Sequence, residues 1–170
     1  MPRTKNEALQ LLQTWPKEFY KTLKPKDFND VFMSKTPSIA TCRKEFGENG
    51  LLKTQAVLSI IINDLVKSFN LGQTMNEEQV ADLINDIIDQ YYWLNLDDFR
   101  LCFNNAKAGM YDKGIFRLDA SVVLSWLNKY TTDRLNSAAE SSYDEHQSNK
   151  GECNIPDFEV NYDKFKKWKP

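Results

Sequence analysis

The stretch "LLKTQAVLSIIINDLVKSF", Leu51–Phe69, decides the fold. Leu51, Leu58, Ile61, Ile62, Leu65 and Phe69 fall on one stripe of a helix with about 3.6 residues per turn. Val57, Ile60 and Val66 widen that stripe well beyond one face. A helix apolar over so wide an arc sits at the centre of a core or meets a partner. The reading favoured here is a central helix.

The same periodicity recurs downstream. Val80, Leu83, Ile84, Ile87, Ile88 and Tyr91 share one face, with Glu78, Asp82, Asp86 and Asp89 opposite. Gly72 breaks the chain before this helix, and Thr74 and Glu77 have the spacing of a capping box. "YYWLN" closes it, and Asn95 caps a shorter helix that points Phe99, Cys102, Phe103 and Ala106 inward. Asp119 caps a last strong helix with Val122, Val123, Trp126, Leu127 and Tyr130 inward, which should fray near "RLNSAAE".

Upstream, prolines cut the chain into short helices. "NEALQLLQTW" stops at Pro16, "KEFYKTL" ends before Pro25, and "KDFNDVFM" ends near Pro37. Proline lacks an N–H and clashes with the preceding turn, so it marks a boundary or a first-turn position. "SIATCRKEFG" is a further short helix, with Gly47 as its stop.

The fold class predicted is therefore all-α, a compact bundle of about six to eight helices with a flexible C-terminal tail. Residues 1–136 form one helical domain, with short helices over 1–50 and core helices over 51–136. Residues 137–170 are the tail, polar at first and then aromatic: "IPDFEVNYDKFKKWKP" carries Phe158, Tyr162, Phe165 and Trp168. Phe165, Lys167 and Trp168 read as a docking peptide or as a segment folded back on its own domain.

Composition excludes several classes. No run of apolar residues approaches a bilayer span, so no membrane is involved. The N-terminus lacks the apolar centre of a secretory signal, which predicts a cytoplasmic protein. Cys42, Cys102 and Cys153 are odd in number and form no C-x-x-C pair, so they read as reduced thiols rather than a disulfide frame or zinc site. His146 is the sole histidine, which argues against a zinc centre and a nucleophile–histidine pair. No cofactor is expected. Charge is uneven, with ten Lys/Arg against six Asp/Glu over 1–53 and two against eight over 54–106. A basic front and an acidic middle can steer partners, although ordinary solvated faces vary as much.

One loop concentrates the candidates. "NNAKAGMYDKGIFRLD", Asn104–Asp119, holds two glycines, three cations and two aromatics between helices. Gly109 and Gly114 are mis-spaced for a phosphate cradle. Lys107, Lys113 and Arg117 with Tyr111 and Phe116 have the chemistry to touch a nucleic-acid backbone and stack on bases. The packing alternative, which is favoured, is a connector hinged at Gly109 and Gly114. There Tyr111 and Phe116 close the core and Arg117 pairs with a carboxylate. No helix-turn-helix is present, since about ten residues separate the flanking helices and the last helix offers only Lys129 and Arg134 outside. Asp82, Asp86 and Asp89 form an acidic row at i, i+4 and i+7 that could bind a host protein, or hold magnesium in a nuclease.

The segment "FNLGQTMNEEQVADLINDIIDQYYWLNLDDFRLCFNNAKAG…FRLDASVVLSWLNKYTTDRL", residues 69–135, resembles an uncharacterised helical family of Bacteroidales bacteria, their prophages and their phages. Gly72, Thr74 and Met75 match its "GKTM" block. Asp98, Phe99, Cys102, Phe103, Ala106, Lys107 and Gly109 match a "DF…CF..AK.G" helix. Tyr111, Lys113, Arg117, Leu118 and Asp119 match a "YGK…DRLD" loop, and Trp126, Leu127, Tyr130 and Arg134 match the following helix. Asp112 stands where that pattern has glycine, and "GIFRLD" replaces "IYDRLD". The resemblance implies a non-enzymatic accessory protein of a phage or mobile element, cytoplasmic in a bacterial host cell. By analogy it implies a DNA-replication adaptor of the helicase-loader or replisome-organiser type, binding a protein partner and in some arrangements DNA. The alternatives are a small inhibitor of a host protein acting through the acidic face, and a metal-dependent nuclease. Oligomeric state is left open.

Overall fold

In the computed structural model the stripe from Val57 to Leu65 lies inside, with Val57, Leu58, Ile61, Ile62 and Leu65 all buried. The structure describes residues 16–69, 71–112 and 114–150, together with Glu7 and Gln10. Seven α-helices are named among them. They are α1 Pro16–Thr22, α2 Phe28–Phe32, α3 Ile39–Glu45, α4 Gly50–Ser68, α5 Glu77–Gln90, α6 Leu96–Lys107 and α7 Ala120–Lys150. No strand occurs among the described residues, and the fold is all-α. Residues to Arg134 form one compact unit and residues from Leu135 a second.

The central helix α4 packs against α1, α3 and α5. Its start is set by backbone proximity: a Cβ on Gly50 would lie 1.9 Å from the Arg43 carbonyl oxygen at the end of α3. Gly47, at φ +73°, reverses the chain between the two helices, the left-handed stop expected after "RKEF". Leu51 departs from the expected stripe and is exposed. Thr54 is buried instead, its hydroxyl donating to the Gly50 carbonyl at 2.7 Å. A β-hydroxyl that bonds back into its own helix is compatible with an apolar surrounding.

The capping boxes position the next two helices. For α5 the box is Asn76 with Gln79, not Thr74 with Glu77. Both pairs have the same spacing, and Asn is a stronger cap than Thr, so the helix begins two residues later. For α6 the box is Asn95 with Asp98. Asn95 also faces Ser38 across an isolated bridge, where Ile39 N–H donates to Leu94 O at 3.0 Å and Ala40 N–H to Tyr92 O at 2.8 Å. The front of the chain is thereby tied to the α5–α6 turn.

The inward faces of α6 and α7 are buried, with Val122 only partly so. Helix α7 does not fray near Leu135; it continues to Lys150. Its sequence has neither Gly nor Pro from 120 to 150, and Ala138, Ala139 and Glu140 are good helix formers. Polarity alone did not argue against a helix there. Phe165, Lys167 and Trp168 lie outside the described residues.

Candidate interaction surface

The 108–119 loop is assembled from both ends. Helix α6 closes with Ala108 N–H donating to Asn104 O and Gly109 N–H to Ala106 O, each at 3.0 Å. Gly109 then takes φ +74°, a conformation that costs glycine little. Gly114 has no positive φ, so the hinge is single. At the far end Leu118 N–H donates to Gln73 O at 3.2 Å, and Leu118 is buried. Asp119 then caps α7, accepting from Val122 N–H at 3.1 Å and the Ser121 hydroxyl at 2.6 Å. These bonds, led by that from Ser121, hold the Asp119 carboxyl below the usual carboxylate range.

Between those ends Asp112 fastens the loop to α7. Its Oδ2 accepts the Trp126 indole N–H at 2.7 Å, and its Oδ1 lies 3.6 Å from Lys129 Nζ. Lys129 also donates to the Tyr111 carbonyl at 3.0 Å. Asp112 is therefore a structural anchor, and Lys129 is occupied by the loop.

A buried carboxylate joins α6 to α7. Asp98 is fully buried, 0% exposed. Its Oδ2 accepts the Asn95 N–H at 2.9 Å, completing the α6 cap. Its Oδ1 accepts the Tyr130 hydroxyl at 2.7 Å and Arg134 Nε at 2.6 Å. The Arg134 guanidinium lies 5.2 Å from the Phe32 ring and 5.0 Å from the Trp93 ring. Arg134 is thus not an outward cation; it is shared between a carboxylate and two aromatic faces. Burial, then the Asp98 charge, pushes the Tyr130 phenol far above its ordinary range.

The predicted contact residues separate in space. Tyr111 turns inward, packs against the core and interacts with Cys102. Burial first, then Cys102, raises its phenol. Arg117 is exposed, with its Nε 3.0 Å from Asp119 Oδ2. Lys107 is exposed at the end of α6. Its ammonium is lowered chiefly by partial desolvation; Asp64 opposes the shift and Arg100 adds to it. Lys113 lies outside the described residues. Phe116 does not close the core. It is 92% exposed, and Met110 is 68% exposed. The loop is short and pinned at Leu118, so only one of its two aromatics reaches inside. The tip thus carries Phe116 and Met110 beside Arg117, a combination the residue types alone did not assign.

Asp82, Asp86 and Asp89 are exposed on α5. Asp89 lines a cleft with Arg43 and Lys44, so the row is not uniformly acidic in its surroundings. Among the described residues no three His, Cys, Asp or Glu side chains are grouped to hold a metal ion. The Cys102 thiol is buried and its pKa is raised by that burial, which disfavours the nucleophilic thiolate. Among the described residues no helix is long and apolar enough to cross a membrane. Comparison with protein-family models, with curated proteins and with solved structures finds no match.

Proposed function

We propose that this chain is a non-enzymatic binding protein that docks a protein partner through the tip of the 108–119 loop. One observation carries this reading: Phe116, 92% exposed, is presented on a loop fastened at Gly109, Asp112 and Leu118. Phe116 is the most exposed large apolar side chain among the described residues, and it sits on a loop, where binding residues concentrate. Such residues, with arginine beside them, are the usual anchors of protein interfaces. The resemblance of residues 69–135 to a family of Bacteroidales phages and mobile elements makes the partner a replication protein of the bacterial host, in the manner of a helicase loader. Lys107 and Arg117 flank the tip and give DNA a secondary route of contact.

The test is affinity capture from a Bacteroidales extract with full-length protein, Phe116→Ser, and Asp82→Asn/Asp86→Asn, read by mass spectrometry. Recovery of helicase or primase components with the first and third proteins, but not the second, supports the reading. Loss confined to the aspartate variant moves the function to an inhibitor acting through α5. The exposure of Asp82 and Asp86 keeps that second reading in play. Magnesium-dependent DNA cleavage abolished by Asp82→Asn would move it to a nuclease.

A further inference from the structure

Helices α4 and α5 leave a groove between them, with a volume of about 330 Å³. Val80 and Ile84, both buried, form its floor, and Leu52, Ala56 and Ala81 form exposed apolar walls. The small side chains at 56 and 81 keep it concave. The Gln55 side-chain amide donates to Asn85 Oδ1 at 2.8 Å, so the two polar groups of the rim satisfy each other. Glu77 is the charged residue of the lining, and Glu78 follows it on α5. Both are exposed and take part in no ion pair among the described residues. The groove is therefore apolar within and acidic at the end where α5 begins.

The loop tip has the converse character. Phe116 and Met110 stand out into solvent, and two cations flank them. Lys107 takes part in no ion pair among the described residues, and Arg117, paired with Asp119 through Nε, keeps 69% of its side chain exposed. A ring on a convex tip fits an apolar groove, and cations beside the ring fit an acidic end. An apolar cavity of about 150 Å³ takes a benzene ring, so the groove has room for one phenyl group. Phe116 does not line the groove of its own chain. Tip and groove are different surfaces, so a contact between copies that joins them is head to tail.

We propose that the Phe116 tip of one copy seats in the α4–α5 groove of a second copy, with Lys107 and Arg117 toward its Glu77 and Glu78. The inference rests on the reading of Phe116 as a contact residue, and it makes a second copy a competitor for that residue. One ring and a few charges bury less surface than a stable complex needs, so the affinity belongs near about 0.1–1 mM. In a dilute extract copies stay apart, the groove is empty and the tip is free for another partner. Where copies are crowded they join tip to groove, and the tip is masked.

The experiment is sedimentation equilibrium of the full chain over a concentration series reaching about 1 mM. The average mass should climb past that of two copies, because a head-to-tail contact leaves a free tip and a free groove at the ends. Phe116→Ser and, separately, Ala81→Trp should each weaken association by about tenfold or more. Should Ala81→Trp fail to fold, Leu52→Glu serves as the groove variant. The deciding step mixes Phe116→Ser, which keeps the groove, with the groove variant, which keeps the tip. Together they should form a pair that stops at two copies, since only one contact can be made. A natural chain that keeps the mass of one copy throughout the series overturns the proposal. So does either single variant that assembles normally, or a mixture that stays monomeric. Assembly that needs Phe116, beside capture from extract that does not, removes the partner reading and keeps this one. Capture that needs Phe116, by a chain that never self-associates, does the reverse.

Discussion

Asp112 accepts the indole N–H of Trp126 at 2.7 Å, and through that bond an exposed loop is fixed to the buried face of the longest helix. Trp126 is itself fully buried, so its N–H has no other outlet. Asp112→Ala should leave the donor unpaired at a cost of about 1–3 kcal/mol. Urea unfolding would measure this. Hydrogen exchange over 108–118 should quicken more than elsewhere, and an unchanged exchange pattern would mean that the loop is held by other means.

Asp98 is expected to be the most sensitive polar position. Its single carboxylate serves the α6 cap, Tyr130 and Arg134. Removing one partner of a buried ion pair costs about 3–5 kcal/mol, so Asp98→Ala should fall in that range. Tyr130→Phe removes one hydrogen bond to a charge and should cost about 1.5 kcal/mol. A double-mutant cycle of the two checks the coupling, and additive effects would contradict a shared network.

Two glycines should respond differently to alanine. At Gly109 a Cβ would make only ordinary contact with the Asp112 carbonyl oxygen at 3.7 Å but φ is +74°, so Gly109→Ala costs about 1 kcal/mol or more from backbone strain. At Gly50 the φ is helical but a Cβ would collide with the Arg43 carbonyl at 1.9 Å. Gly50→Ala should therefore be the more damaging in thermal melts, because α3 and α4 must separate.

Stability should fall as pH rises above the ordinary carboxylate value of 3.8 on account of Asp97. Its folded pKa is raised, chiefly by burial, so between 3.8 and that raised value the folded chain holds more proton than the unfolded chain. Stability then declines with pH across the window. Asp119 acts with the opposite sign and in a separate range. Its pKa is lowered from 3.8, so its contribution is complete above 3.8 and is lost as pH falls through the lowered value. Asp97→Asn should flatten the upper slope in urea titrations at successive pH values. Persistence of that slope would assign it to another group.

The core was legible because helical periodicity survives in sequence: Leu58, Ile61, Leu83, Ile87, Phe99, Cys102, Val123 and Tyr130 all lie where spacing puts them. Asn95 and Asp119 were legible as caps for the same local reason. Tertiary choices were not. Tyr111 and Phe116 are equivalent in composition, and only the anchoring of Leu118 and Asp112 decides which turns inward. Thr74 and Asn76 both begin a box of the right spacing, and the stronger capping of Asn decides for Asn76. The role of Asp98 required a partner 36 residues away in sequence, beyond the reach of local spacing. The helical course of 137–150 was hidden by its polarity.

The loop tip is proposed to meet a protein partner. The decisive measurement is photo-crosslinking, with a photoreactive phenylalanine analogue at 116 in the full-length chain and a control at Leu52, which is 67% exposed on α4. Phe116 supports no buried contact, so the replacement should change stability by less than about 0.5 kcal/mol. One discrete adduct with a replication protein is expected from position 116, none from position 52, and loss of the adduct on Arg117→Ala. An adduct from position 52 alone, or none from 116 under conditions where the natural protein captures its partner, would contradict it.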